Sequence, residues 1–205
     1  MEEDWIDELA TGRPRIVGFA VAVEGGMGIL AWIAGLLLGL PVAGWVVWSG
    51  EGLAWGMAGA VAMLALLGIC RAVPRGPLAE LNRLVDRLVK GLFGGCRWWE
   101  LLAIALLAGW GEEMVFRGVI QGGLEVLLTG WFPGDSGWWP EAVALAVASV
   151  LFGLAHCVSR EYVAFAIVVG ALLGWMAIAT GDLLAPMVAH AVYDFVALMW
   201  LVRRP

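Results

Sequence analysis

Polar chemistry is scarce in this chain. Of its 205 residues only 15% are charged, two are histidine and three are cysteine. Cys70, Cys96 and Cys157 are odd in number and show no CxxC spacing, which argues against a disulfide framework or a cysteine-based zinc site. No basic patch of the kind that binds nucleic acid is present, and no His-Glu-x-x-His pair of the zinc-protease type. The N-terminus lacks the basic start of a cleaved signal. Glu2, Glu3, Asp4, Asp7 and Glu8 come first, and the apolar run behind them is too long for a signal core, so a retained first span is expected. The formal net charge of −6 sits largely in this head and says little about partners.

What the chain has in abundance is apolar length. It is 62% hydrophobic with 13 tryptophans, and several runs approach or exceed the ~20 residues that cross hydrocarbon. The predicted fold is therefore all-α, a polytopic transmembrane bundle formed by residues 1–205 as one domain. Spans are expected at about 16–40, 53–70, 142–157, 162–180 and 183–202, plus one crossing within 98–131. That last stretch has 34 residues, about 50 Å of helix. It must tilt steeply or break, with Gly109, Gly111, Gly118, Gly122 and Gly123 as the places to break and the second half interfacial or re-entrant. This makes about six crossings.

Between the second and third spans lies the most basic segment. Leu78, Leu81, Val85, Leu88 and Leu92 recur at helical spacing, with Arg83, Asp86, Arg87 and Lys90 on the other side. The reading is an amphipathic helix on the cytoplasmic membrane surface, with a substrate lip as the lesser alternative. Every lysine and arginine except Arg117 falls on one set of alternating segments, while the loop from Val42 to Gly52 carries Trp45 and Trp48 and no cation. The positive-inside rule then puts both termini in the cytoplasm, across a plasma (inner) membrane. The pairs Gly35 with Gly39, Gly52 with Gly56 and Gly170 with Gly174 suit close helix contact.

Against this background the few charges within spans stand out. A charge at mid-bilayer costs at least roughly 2.5 to 3.5 kcal/mol, so such residues face polar cavities and mark function. Gly111 to Gly118 reads Gly-Glu-Glu-Met-Val-Phe-Arg-Gly. Glu113 and Arg117 are four apart with the acid first, the better orientation for an intrahelical ion pair. Glu112 lies about 100° around the axis and cannot share that arginine equally. It is the less compensated carboxylate, suited to act as a general base, though both acids could equally balance Arg117 in a packing network. Glu24, in the first span, is read as a packing partner for an arginine or hydroxyl, or as the acid of a polar crevice.

Both histidines lie in spans. Phe152 precedes His156 by one turn, and Asp194 follows His190 by one turn. Glu112, Glu113, Arg117, His156, His190 and Asp194 thus form a candidate constellation from three spans. A carboxylate could activate water while a histidine stabilises the oxyanion. Alternatively Glu112, His156 and His190 could bind zinc with an open position. Proton-coupled transport would also use buried Glu and His, but would favour matched halves, and the Glu-Glu-x-x-x-Arg run has no second copy. Ser149 and Ser159 share no helix face with a histidine, and Cys157 points away from His156, so neither hydroxyl nor thiol is the expected nucleophile.

In order, Glu112-Glu113-x-x-x-Arg117, Phe152-x-x-x-His156 and His190-x-x-x-Asp194 resemble the three motifs of the CAAX protease and bacteriocin-processing (CPBP, or Abi) family, which includes the type II CAAX prenyl endopeptidase. The resemblance covers residues 98–205. It implies a multi-span intramembrane endopeptidase that acts on a membrane-associated peptide or protein without a cofactor, zinc being the alternative. Glu112 would activate water with His156 assisting, His190 and Asp194 would stabilise the oxyanion, and Glu113 and Arg117 would support Glu112. One position departs from the family, where asparagine is frequent. Asp194 donates a hydrogen bond only when protonated, and otherwise orients His190. A non-catalytic peptide-binding or immunity protein on the same scaffold is the remaining alternative.

Overall fold

A computed structural model describes residues 13–73, 75–132 and 137–204. The acidic head and residues 133–136 of the turn-rich loop, both read above from sequence, lie outside the described residues. Within them the chain is helical, with no strand.

Helix α1 (Arg13–Leu38) ends where Pro41 removes a backbone donor, and a short 3-10 turn (Val42–Trp45) leads to α2 (Gly50–Ala72), capped by Ser49 accepting from the Gly52 N–H at 2.9 Å. Helix α3 (Pro77–Phe93) starts with proline at its first position, where no amide hydrogen is needed. It is bent 113° from the rod of Trp98–Trp131 that follows. That rod comprises α4 (Trp98–Glu113), a π-helical segment (Met114–Gly122) and α5 (Gly123–Trp131). Helices α6 (Trp139–Ala155), α7 (Arg160–Thr180) and α8 (Leu184–Arg203) complete the chain.

Among the described residues four helices, α1, α2, α7 and α8, are long and apolar enough to cross a membrane, and the bent pair of α3 with the Trp98–Trp131 rod can supply a fifth. Helix α6 is apolar but shorter, at 17 residues. These six apolar rods are in rough accord with six crossings, and the protein is an integral membrane protein. The glycines do not interrupt the rod between Trp98 and Trp131. Met114 and Gly123, at the two junctions, keep right-handed helical dihedrals, so the rod changes its helical pitch there without a break.

The cation-poor loops meet at one end of the bundle, where the Leu183 amide donates to the Trp45 carbonyl at 2.9 Å and the Val47 amide to Asp182 Oδ1 at 2.9 Å. Close helix contact occurs at Gly52, Gly56, Gly170 and Gly174, but not at the first pair, where Gly35 meets Leu40 and Val42 of the turn that follows its own helix. Gly39 has φ +69 and no neighbour for a side chain to meet, so it serves the turn after α1 instead of an interface. At Gly111 a side chain would run into the carbonyl of Glu24, and this close approach sets α1 directly against the residue before Glu112. Large apolar side chains such as Leu37 (82% exposed), Phe19 and Val61 cover the outside, as lipid contact requires.

Candidate active site

The site is built where α4 gives way to the π-helical segment. π-helical turns are rare and frequent at functional sites. Glu112 and Glu113 form the last turn of α4, and Arg117 and Gln121 follow on the widened turns. Arg117 Nη1 donates to Glu113 Oε1 at 3.1 Å, as the four-residue spacing suggests. Its Nη2 donates to the Gly170 carbonyl at 2.9 Å, and one turn further Gln121 Nε2 donates to the Gly174 carbonyl at 3.0 Å. These two bonds pin the segment to α7 at the Gly170 and Gly174 pair. At Gly174 a Cβ would come within 2.5 Å of Gln121 Oε1, so only glycine leaves Gln121 its place.

Two groups of side chains then assemble side by side. In the first, Glu113 Oε1 also meets His190 Nδ1 at 2.8 Å, and His190 Nε2 stands 3.5 Å from Asp194 Oδ2. Glu113 is completely buried, Arg117 and His190 nearly so. In the second, Glu112 Oε2 lies 3.5 Å from His156 Nε2. His156 stands just past the end of α6, and its Nδ1 meets the Phe152 carbonyl at 2.8 Å. A carbonyl only accepts, so Nδ1 carries the proton and Nε2 is the nitrogen turned to Glu112.

Phe152 joins the two groups. Its ring lies 4.5 Å from that of His156, 5.9 Å edge-on from that of His190, and 5.1 Å edge-on from Phe116, with the Arg117 guanidinium carbon 4.5 Å from its centre. Three of the six candidate residues, Arg117, His156 and His190, therefore fall around one phenyl ring, and the three acids reach it through them. Glu113 differs from expectation in one respect: besides Arg117 it holds His190, a bond across 77 positions that no local spacing could reveal.

A cavity of about 310 Å³ opens onto Glu112 and Asp194. Its walls include Leu81, Val85, Leu88 and Leu92 of α3, while Arg83, Arg87 and Lys90 are exposed on the other side of that helix. The amphipathic helix thus turns its apolar face to the site, with two polar bonds tying it to α2: Arg71 to Asp86 at 2.7 Å and Asn82 to the Cys70 carbonyl at 3.1 Å. Glu24 lines the same cavity, and its Oε2 is buried without a hydrogen-bond partner among the described residues. The polar-crevice reading of Glu24 therefore describes its surroundings better than the packing one. Tyr162 and Tyr193 also line this space, and sequence reasoning did not single them out.

The other groups weighed from sequence have plain roles. Ser149 Oγ donates to the Leu145 carbonyl at 2.6 Å, and Ser159 Oγ caps α7 by accepting from the Tyr162 amide at 3.2 Å. Cys157 is exposed, and all three cysteines are free. Among the described residues no group of three or more His, Cys, Asp or Glu is arranged to hold a metal ion.

Residues 94–196, half of the chain, match the family described as Type II CAAX prenyl endopeptidase Rce1-like. The chain belongs to that family. No curated protein and no solved structure matches it. Membership makes this Rce1-like protein a CAAX-type endopeptidase at the level of the family, a hydrolase of membrane-associated protein substrates. Its matched stretch contains Glu112, Glu113, Arg117, Phe152, His156, His190 and Asp194. Glu24 and the α3 wall of the cavity lie outside it.

Proposed function

We propose that the chain is an intramembrane endopeptidase, a single protease domain that cleaves a peptide bond of a membrane-associated protein or peptide with a water activated by Glu112. The observation that carries this reading is the Glu112 carboxylate at 3.5 Å from His156 Nε2, at the end of a cavity with apolar walls. An apolar peptide segment lying along α3 would present its scissile carbonyl there. Glu112 removes a proton as the water oxygen adds to the carbonyl carbon, and His156 Nε2 holds that water in line. The intermediate collapses when the amine leaves with the proton returned by Glu112, giving a carboxylic acid and an amine, and the acid's proton then passes to the amine to leave carboxylate and ammonium. Arg117 and Glu113 fix His190 from behind, through contacts of 3.1 and 2.8 Å.

The mechanism as proposed uses no metal. Both ring nitrogens of His190 are turned to carboxylates, which favours an orienting role over a ligand role. Membrane orientation follows the charge pattern: the cytoplasmic face carries both termini and Arg71, one of the residues that line the cavity. The test is cleavage of a peptide library by detergent-purified wild type and Glu112→Ala. Cleavage by the wild type alone, unaffected by strong chelators, is expected. Equal cleavage by both proteins removes Glu112 from its role, chelator-reversible loss restores the zinc alternative, and binding without cleavage by either supports the non-catalytic one.

A further inference from the structure

Peptide hydrolysis through a tetrahedral intermediate requires a hydrogen-bond donor aimed at the new oxyanion. The pair expected from the motif order supplies it poorly here. Asp194 stands where an amide would donate, and as a carboxylate it only accepts. His190 has Nδ1 at 2.8 Å from Glu113 and Nε2 at 3.5 Å from Asp194, so both nitrogens face acids. Arg117 gives Nη1 to Glu113 and Nη2 to the Gly170 carbonyl, and although its Nε has no partner among the described residues, it does not line the Glu112 cavity.

The donors that line the cavity with Glu112 can be taken in turn. Arg71 is held at the seam of α2 and α3 by its Nη1 bond to Asp86 and over the Trp200 ring at 5.5 Å, with its Nε unpartnered among the described residues, and Asn82 donates to the Cys70 carbonyl at the same seam. Two phenolic hydroxyls, those of Tyr162 and Tyr193, line it as well. Tyr193 packs against the core cluster around Phe116 and Met176. Tyr162 instead lies with its ring 6.2 Å from that of His156, the histidine that faces Glu112. Its backbone is fixed by the Ser159 cap and its other side by Phe165, with ring centres 6.4 Å apart.

We propose that the Tyr162 hydroxyl is a further catalytic residue, the donor that stabilises the oxyanion in a site whose last motif position carries an acid in place of an amide. As water adds to the carbonyl carbon, the carbonyl π pair moves to oxygen. The Tyr162 O–H donates a hydrogen bond to that oxygen and keeps its proton, while Glu112 holds the proton taken from water. This assignment rests on the glutamate-activated hydrolysis proposed above.

Tyr162→Phe keeps the ring beside His156 and removes only the donor. It is expected to lower kcat by about 100-fold or more with KM changed less than about threefold. Affinity for a peptide aldehyde, whose hydrate mimics the intermediate, should fall in step with kcat. A ring-fluorinated tyrosine at position 162, which keeps the fold and the hydroxyl but loses its proton at lower pH, should move the alkaline limb of the kcat profile downward. Wild-type kcat in Tyr162→Phe, an unchanged aldehyde affinity, an unmoved alkaline limb, or a larger loss in Tyr193→Phe would each overturn the assignment. If Glu112→Ala is inactive while Tyr162→Phe is not, this inference alone fails. Activity in Glu112→Ala fails the reading beneath it.

Discussion

Phe152 carries no proton and no charge, yet three functional groups, Arg117, His156 and His190, lie against its ring. Burying a phenyl ring and then deleting it costs about 3 to 5 kcal/mol, and an arginine over a desolvated ring face contributes about 2 kcal/mol. Phe152→Ala should therefore lower stability by about 3 to 5 kcal/mol and remove cleavage. Phe152→Leu should recover most of the thermal stability in detergent but little activity, because leucine offers the Arg117 cation and His156 no flat face. Recovery of both together would make Phe152 a filler of volume only. Arg117 is the second test at this scale. Removing one partner of a buried ion pair leaves the other uncompensated, at about 3 to 5 kcal/mol. Arg117→Met should destabilise by that amount, and Arg117→Lys less, since an ammonium can still meet Glu113 while losing the Gly170 carbonyl. Unfolding measured in detergent decides both. The motif residues themselves are legible in the sequence because charge within an apolar run is conspicuous. Glu24 is conspicuous for the same reason, but its place beside the Glu112 cavity depends on α1 meeting α4.

At the scale of elements, the rod from Trp98 to Trp131 and the amphipathic α3 do most to shape the site. Glycines in that rod have opposite roles that the sequence does not distinguish. Gly111 touches the backbone of Glu24, which cannot move aside, whereas Gly130 faces nothing within 4 Å. Gly111→Val should cost about 1 to 3 kcal/mol through overpacking and displace Glu112. Gly130→Ala should be neutral or stabilise by up to about 1 kcal/mol, as a helix propensity gain. Equal effects of the two substitutions on thermal unfolding would contradict the α1 to α4 contact. The π-helical turns were not legible at all. In them Arg117 and Gln121 reach carbonyls of α7, bonds across 53 positions that no local preference contains. The apolar stripe of α3 was legible as a stripe, but a stripe reads alike whether it meets lipid or a cavity.

For the whole molecule, the sorting of cations to alternate loops predicts a definite orientation. Cys70, Cys96 and Cys157 all sit at the cation-rich end, near Arg71, Arg97 and Arg160. A membrane-impermeant maleimide should label the wild type in inside-out vesicles only. A variant with the three cysteines replaced and Trp48→Cys introduced should label in right-side-out vesicles only, since Trp48 is 83% exposed at the cation-poor end. The reverse pattern would invert the topology and open the cavity to the outside.

Composition and period by themselves determined that this chain crosses membranes as helices, roughly how many there are, and which residues are too polar for lipid. Those properties depend on a residue and its near neighbours, and a sequence contains both. Only the tertiary structure decided that Glu113 serves His190, that Glu24 and Tyr162 share a cavity with Glu112, and that α3 faces the site. Such contacts join residues far apart in the chain, and they follow from how helices with small residues approach and which buried polar atoms they can satisfy when they do.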